Sequence, residues 1–212
     1  TALEKAVAME HECDVDKQAA SYKTLNEARA LLRRFKSAVG QFQYCYTAQA
    51  EANRQYQSHL KTARLYISHF IQVLNLAVLR NEVRKEHKLF YGLDPEDFAV
   101  PELTGEKHIL VWGERLIEGE RERVSHGGAP IYNPTIAKVT VHYDIFKEAY
   151  REQQNYKLNT TRSQSGLDAL REEADRIILD LWNQVEAYYA DLPAEIRLKR
   201  CRAYGVVYYY RS

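Results

Sequence analysis

Glu10, His11, Glu12, Cys13 and Asp14 follow one another in "MEHECDVD" (9–16), and carboxylate, imidazole and thiolate are the ligand types of a zinc-like site. On a helix Glu10 shares a face with Cys13 or Asp14, as ligands would. His11 points elsewhere, and no second cluster in the chain completes the shell. A charged first helix is the plainer reading of the same residues. Glu10, His11, Cys13 and Asp14 are therefore carried as candidate metal ligands, and no cofactor is expected.

The second candidate is "SHGGAP" (125–130). His126, Gly127 and Gly128 suit a nest of backbone N–H groups around an anion, with Arg121 or Arg123 beside it. Gly-Gly ahead of a capped helix is also ordinary turn chemistry. Trp112, Arg121 and His126 would be this region's contribution to a ligand site. Other chemistries lack their residues. No Glu-x-x-His pair exists for a di-iron bundle, and there is no nucleophile elbow, phosphate loop or dinucleotide fingerprint. The remaining histidines stand singly. No catalysis is expected.

Tyrosine is in excess, with 16 residues against six Phe and two Trp. Its amphipathic ring is enriched at contact surfaces. Tyr46, Tyr56, Tyr156 and Tyr188 fall on helical seams, where hydroxyls reach the rim of a narrow core. Tyr204, Val206, Tyr208, Tyr209 and Tyr210 crowd "AYGVVYYYRS" (203–212), which alternates as an extended strand does. A lone strand is unstable, so these five residues are read as an interaction segment docked on the head or on a neighbouring subunit.

The elements that position these groups are helical. From Leu25 to Ala77 a three-four alternation of apolar residues passes Gly40 without a slip, which predicts one helix over 22–88. A second seam runs from Val139 to Tyr188 and predicts a helix over 134–192, with Asn133 as N-cap and Pro134 in the first turn. "LNTTRSQSG" (158–166) is a poor helix former and marks a break there. Between them, residues 89–133 form a small head with a short helix over 106–124. Its "GERLIEGERERV" (113–124) reads as a solvated, charged face. The fold class is all-α, one domain built as a long antiparallel helical hairpin with a head and an extended tail (203–211). The alternative is a compact four-helix up-down bundle folded at Gly40 and near Gly166.

Leu31, Cys45, Tyr66, Val73, Val78, Ile178 and Trp182 widen the apolar stripe beyond a two-in-seven seam, so each long helix needs a third neighbour. Residues 1–20 folding back could supply it, as could a compact four-helix fold or a second copy of the chain. Homo-oligomerisation ranks first.

Charge and composition exclude several classes. Thirty basic and 29 acidic residues leave a net charge of +1, which gathers neither nucleic acid nor an anionic membrane. The most apolar stretch (65–79) contains His69, Gln72 and Asn75 and is too short and polar to span a bilayer. Three cysteines far apart favour reduced thiols and a cytoplasmic compartment. The N-terminus lacks the pattern of a secretory signal.

"ARLYISHFIQVLNLAV" (63–78), "ILVWGERLIEGERERVSHGGAPIYNPTIAKV" (109–139) and "AYGVVYYYR" (203–211) resemble segments of a group of uncharacterised, all-helical bacterial proteins of Bacteroidetes-type genomes. The resemblance covers most of the chain and implies a helical fold. It transfers no activity, cofactor or site residue. The function expected is that of a structural or protein-interaction protein that self-assembles through long helices, its partner another copy or another protein. A ligand- or metal-binding helical bundle is the alternative.

Overall fold

The computed structural model describes residues 1–12 and 18–209, with backbone alone for 10–12. Its helices are α1 (Ala2–Glu12), α2 (Tyr22–Leu79), α3 (Glu106–Ser125), α4 (Ile136–Tyr188) and α5 (Ala194–Ala203), with a 3₁₀ helix at Lys85–Tyr91. No strand occurs among the described residues. The fold is all-α, and α2 and α4 pack together as the hairpin expected from the two seams. The chain divides into two compact units, residues 1–47 with 158–212 and residues 48–157.

In the second unit, the α2 seam buries Tyr56, Leu60, Ile67, Phe70 and Leu74 against Val139, Tyr143 and Phe146 of α4. Ile109 and Leu116 of α3 close the core as the third neighbour. Each fully buried Leu, Ile or Phe here contributes about 1.5–3 kcal/mol of transfer free energy. In the first unit, Leu25, Ala28 and Leu31 of α2 meet Ala174, Ile177, Leu181 and Val185 of α4, and α1 covers them with Leu3 and Ala6. The third neighbour is thus the N-terminal segment folded back. Ser21 caps α2, its Oγ accepting the Thr24 N–H at 3.2 Å. Asp180 and Gln184 of α4 hold that cap through the Thr24 hydroxyl, at 2.9 and 2.8 Å.

Several boundaries differ from expectation. Helix α2 ends at Leu79, nine residues before the predicted 88, because Asn81 turns left-handed (φ 62°). The Glu82 N–H then bonds to the Ala77 carbonyl and the Asn81 N–H to Val78, a Schellman cap that Asn permits without glycine. The break expected at 158–166 is absent. There the hydroxyls of Ser163 and Ser165 bond back to the carbonyls of Asn159 and Thr161, four residues earlier, and stay within the helix. Helix α4 begins at Ile136, capped by Thr135, whose Oγ1 and carbonyl both accept the Lys138 N–H. Asn133 and Pro134 lie in the preceding turn instead, joined by a cis peptide bond. Among the seam tyrosines Tyr56 is buried, while Tyr46, Tyr156 and Tyr188 are exposed.

Candidate functional site

The glycine loop does not form an anion nest. Gly127 is left-handed (φ 86°) and ends α3 in a second Schellman cap. The N–H groups of His126, Gly127 and Gly128 bond to the carbonyls of Glu122, Val124 and Arg123 at 3.1, 2.9 and 3.1 Å. Every donor an anion would need is spent, and the negative end of the α3 dipole lies beside them. The His126 ring nitrogen Nδ1 is also occupied, 2.9 Å from the Glu122 carbonyl. Trp112 and Arg121, nine residues apart, stand half a turn from each other around α3 and about 13 Å apart along it. Trp112, Arg121 and His126 therefore do not converge.

The charged face of α3 is corrected at its centre. Glu120 and Arg123 are each only 1 % exposed, in the core of the second unit. Glu120 accepts from Arg123, from the Tyr91 hydroxyl and from the Ile131 N–H, the last at 2.7 Å. Arg123 donates further to the Tyr91 oxygen and the Ala129 carbonyl, both at 2.7 Å. Burial, then the Glu120 carboxylate, pushes the Tyr91 hydroxyl well above its ordinary pKa. Burial opposes the charge on Arg123, but Tyr91 and Glu120 outweigh it and raise its pKa. The network is closed: it joins the 3₁₀ helix, α3 and the 129–131 loop, and leaves no group for a substrate. Nothing in the interleaved charges distinguished these two residues. The i,i+3 spacing of Glu120 and Arg123 is the only signal that was present.

Lys88 is a second buried charge that sequence reasoning missed. Its Nζ donates to the Asp97 carbonyl and lies 4.2 Å from the Phe98 ring centroid. Burial pulls its pKa below the ordinary lysine value. Being fully enclosed, it ties the 94–98 loop to the 3₁₀ helix and is not available as a nucleophile.

Of the acidic start, Cys13 and Asp14 lie outside the described residues, as do the side chains of Glu10 and His11. Among the described residues no group of three His, Cys, Asp or Glu side chains is placed to hold a metal ion. A cleft of about 420 Å³ in the second unit, walled by Glu51, His59, Glu148 and Glu152, is included in that statement.

Part of the C-terminal segment is buried within its own chain. Tyr204 is 1 % and Val206 5 % exposed, in a core with Ala6, Ala19, Leu25 and Cys201 of the same chain. The Ala19 N–H points at the Tyr204 hydroxyl (3.4 Å). Gly205, at φ 88°, ends α5 in another Schellman cap: its own N–H bonds to the Arg202 carbonyl and the Val206 N–H to Cys201. The segment thus packs on α1 and the start of α2, not on the head. The reason is local: the cap reverses the chain and drives Val206 into the apolar pocket beside Cys201. Tyr208 is half-buried, and burial followed by hydrogen bonding to Cys201 and Glu186 raises its pKa. Tyr209 is exposed, and Tyr210 lies outside the described residues.

What remains open is a trough of about 470 Å³ in the first unit, beside the first turn of α1. Leu32, Phe35 and Val39 of α2 and Ile178 of α4 line it, each half-buried. Leu32, Phe35 and Val39 are seam positions, but beside them it is Leu31 that is buried against Ala174 and Ile177 of α4, with Leu32 only partly packed on that cluster. The three-four stripe is left partly uncovered. Its rim carries the Glu4–Lys36 ion pair (2.8 Å) and, on α4, Arg171 and Asp175.

Comparison with known proteins returned no match. No family model matches the chain, and no curated protein and no solved structure is significantly similar to it. No helix among the described residues is long and apolar enough to cross a membrane.

Proposed function

We propose that this chain is a structural or protein-interaction protein that self-assembles through its long helices. The observation that supports the reading is the trough of the first unit, where the three-four stripe Leu32–Phe35–Val39 is only half-buried between the first turn of α1 and α4. Side chains at this spacing are satisfied by another helix. The buried polar groups support the same reading from the other side. Glu120, Arg123 and Lys88 are each committed to structural bonds, which leaves no convergent set of reactive groups among them.

The test is the mass of the particle in solution, by size-exclusion chromatography with light scattering. A multiple of 24.7 kDa is expected. A particle of 24.7 kDa at every concentration would remove the self-assembly reading.

A further inference from the structure

We infer that the outer face of α5, in the first unit, is a docking surface for an anionic lipid bilayer. It is a different surface from the trough, and the inference does not depend on self-assembly.

Cys201 is buried and fixes which way α5 faces. At about 100° per residue, Ile196, Lys199 and Ala203 stand roughly 140–160° around the helix from Cys201 and point outward. Arg200 and Arg202 lie about 100° from it, one on each flank. All five are exposed. Leu192 at the entry to α5 is exposed as well, as are Val207 and Tyr209 just past the Gly205 cap.

From Ile196 to Tyr209 the chain carries four cations, Arg197, Lys199, Arg200 and Arg202, and no carboxylate. The whole chain carries only +1, so its other residues together are net negative. Among the described residues none of the four cations forms an ion pair, not even with the preceding Asp191 and Glu195. A low net charge removes only the field at a distance. Screening acts over about 8 Å at physiological ionic strength, and within that range a surface meets the local cluster.

The apolar residues among these cations select a bilayer over other polyanions. Leu192, Ile196 and Val207 gain nothing from the phosphates of a nucleic acid. At a membrane they enter the boundary between headgroups and acyl chains, where the amphipathic ring of Tyr209 also suits. Cations on both flanks of one convex helix reach a plane of headgroups that extends past it on both sides, with their methylene stems along the apolar surface. An acidic peptide strand would meet one flank only.

The experiment mixes the whole chain with extruded vesicles and reads bound protein by co-sedimentation. Binding is expected to phosphatidylcholine vesicles that contain phosphatidylserine, with none to phosphatidylcholine alone and a loss at high salt. Lys199→Gln, Arg200→Gln and Arg202→Gln together should weaken it roughly 100-fold, about fivefold for each charge. Ile196→Ser should weaken it roughly tenfold with every charge in place, which a purely electrostatic contact would not show. Arg54→Gln, Lys61→Gln and Lys138→Gln together, exposed cations of the second unit, should leave it unchanged. All the substituted side chains except Ile196 are charged surface groups, so the fold is kept. A wild type that ignores phosphatidylserine at low salt would overturn the inference, as would an equal loss from the two triple variants. Binding of duplex DNA or polyglutamate as tight as that of the vesicles, and indifferent to Ile196→Ser, would overturn it in favour of another polyanion.

Discussion

Glu120 and Arg123, one turn apart on α3, form an ion pair in which neither side chain exceeds 2 % exposure. Every strong acceptor and donor around it is matched: the Tyr91 hydroxyl, the Ile131 N–H and the Ala129 carbonyl complete the shell. Burying two charges is costly, and the cost is offset only while both are present. Arg123→Met is therefore expected to destabilise the fold by about 3–5 kcal/mol, because it strands the Glu120 carboxylate. Glu120→Leu with Arg123→Met should recover part of that loss. Urea denaturation of the two single variants and the double checks it; a double variant as unstable as the sum of the singles would refute the coupling.

Gly205 sits at φ 88°, and a Cβ on it would lie 2.8 Å from the Cα of Ala2. Gly205→Ala thus meets both an unfavourable backbone region and a clash with helix backbone. A loss of at least about 1 kcal/mol is expected, read as a lower Tm. Truncation after Tyr204 should act in the same direction, since it removes the buried Val206, worth on the order of 2 kcal/mol. An unchanged Tm in both variants would mean that the tail does not hold the first unit together.

Asn81 ends α2 in the left-handed region, with φ 62°. Asn81→Gly should be tolerated, since glycine adopts that conformation freely. Asn81→Val should cost about 1–2 kcal/mol, the penalty of a branched Cβ in this region. Thermal denaturation compares the two, and equal melting temperatures would contradict the assigned cap.

Glu4 pairs with Lys36 at 2.8 Å and accepts from the Thr1 hydroxyl, and these contacts, Lys36 first, hold its carboxyl well below its ordinary value of 4.5. A carboxyl depressed in the folded state stabilises above its unfolded pKa and loses that contribution as pH falls. The contribution is complete above about pH 4.5 and disappears toward pH 2. The Tm difference between wild type and Glu4→Gln should shrink across that window, and a constant difference would show that the pair is idle. The group is exposed, so the effect is small.

Much of the scaffold was legible in the residues. Val139, Phe146, Leu167, Ala174, Ile177, Leu181 and Val185 were read from periodicity alone, and all are buried. Periodicity works there because a helix has one inward stripe and apolar side chains must occupy it. The tail was read as a docked segment; of it Tyr204 and Val206 are buried within the first unit of the same chain, while Tyr209 is exposed. Alternation reports that a segment has a buried face and does not report what covers it. The break at 158–166 failed for a related reason. Helix propensity is worth a few tenths of a kcal/mol per residue, and packing of Leu167 and its neighbours outweighs it.

The sequence by itself determined an all-α chain with two long seams, a turn-rich connector and a glycine at the ends of the 3₁₀ helix, α3 and α5, because these follow from local rules of periodicity and backbone sterics. Only the tertiary structure decided which charges are buried, that the glycine loop spends its donors on a cap, and which apolar stripe is left uncovered. Glu120 and Arg121 are adjacent charged residues on one helix, yet one is 1 % exposed and the other is at the surface. That difference is set by what packs against each face of α3, and residues distant in the chain supply it.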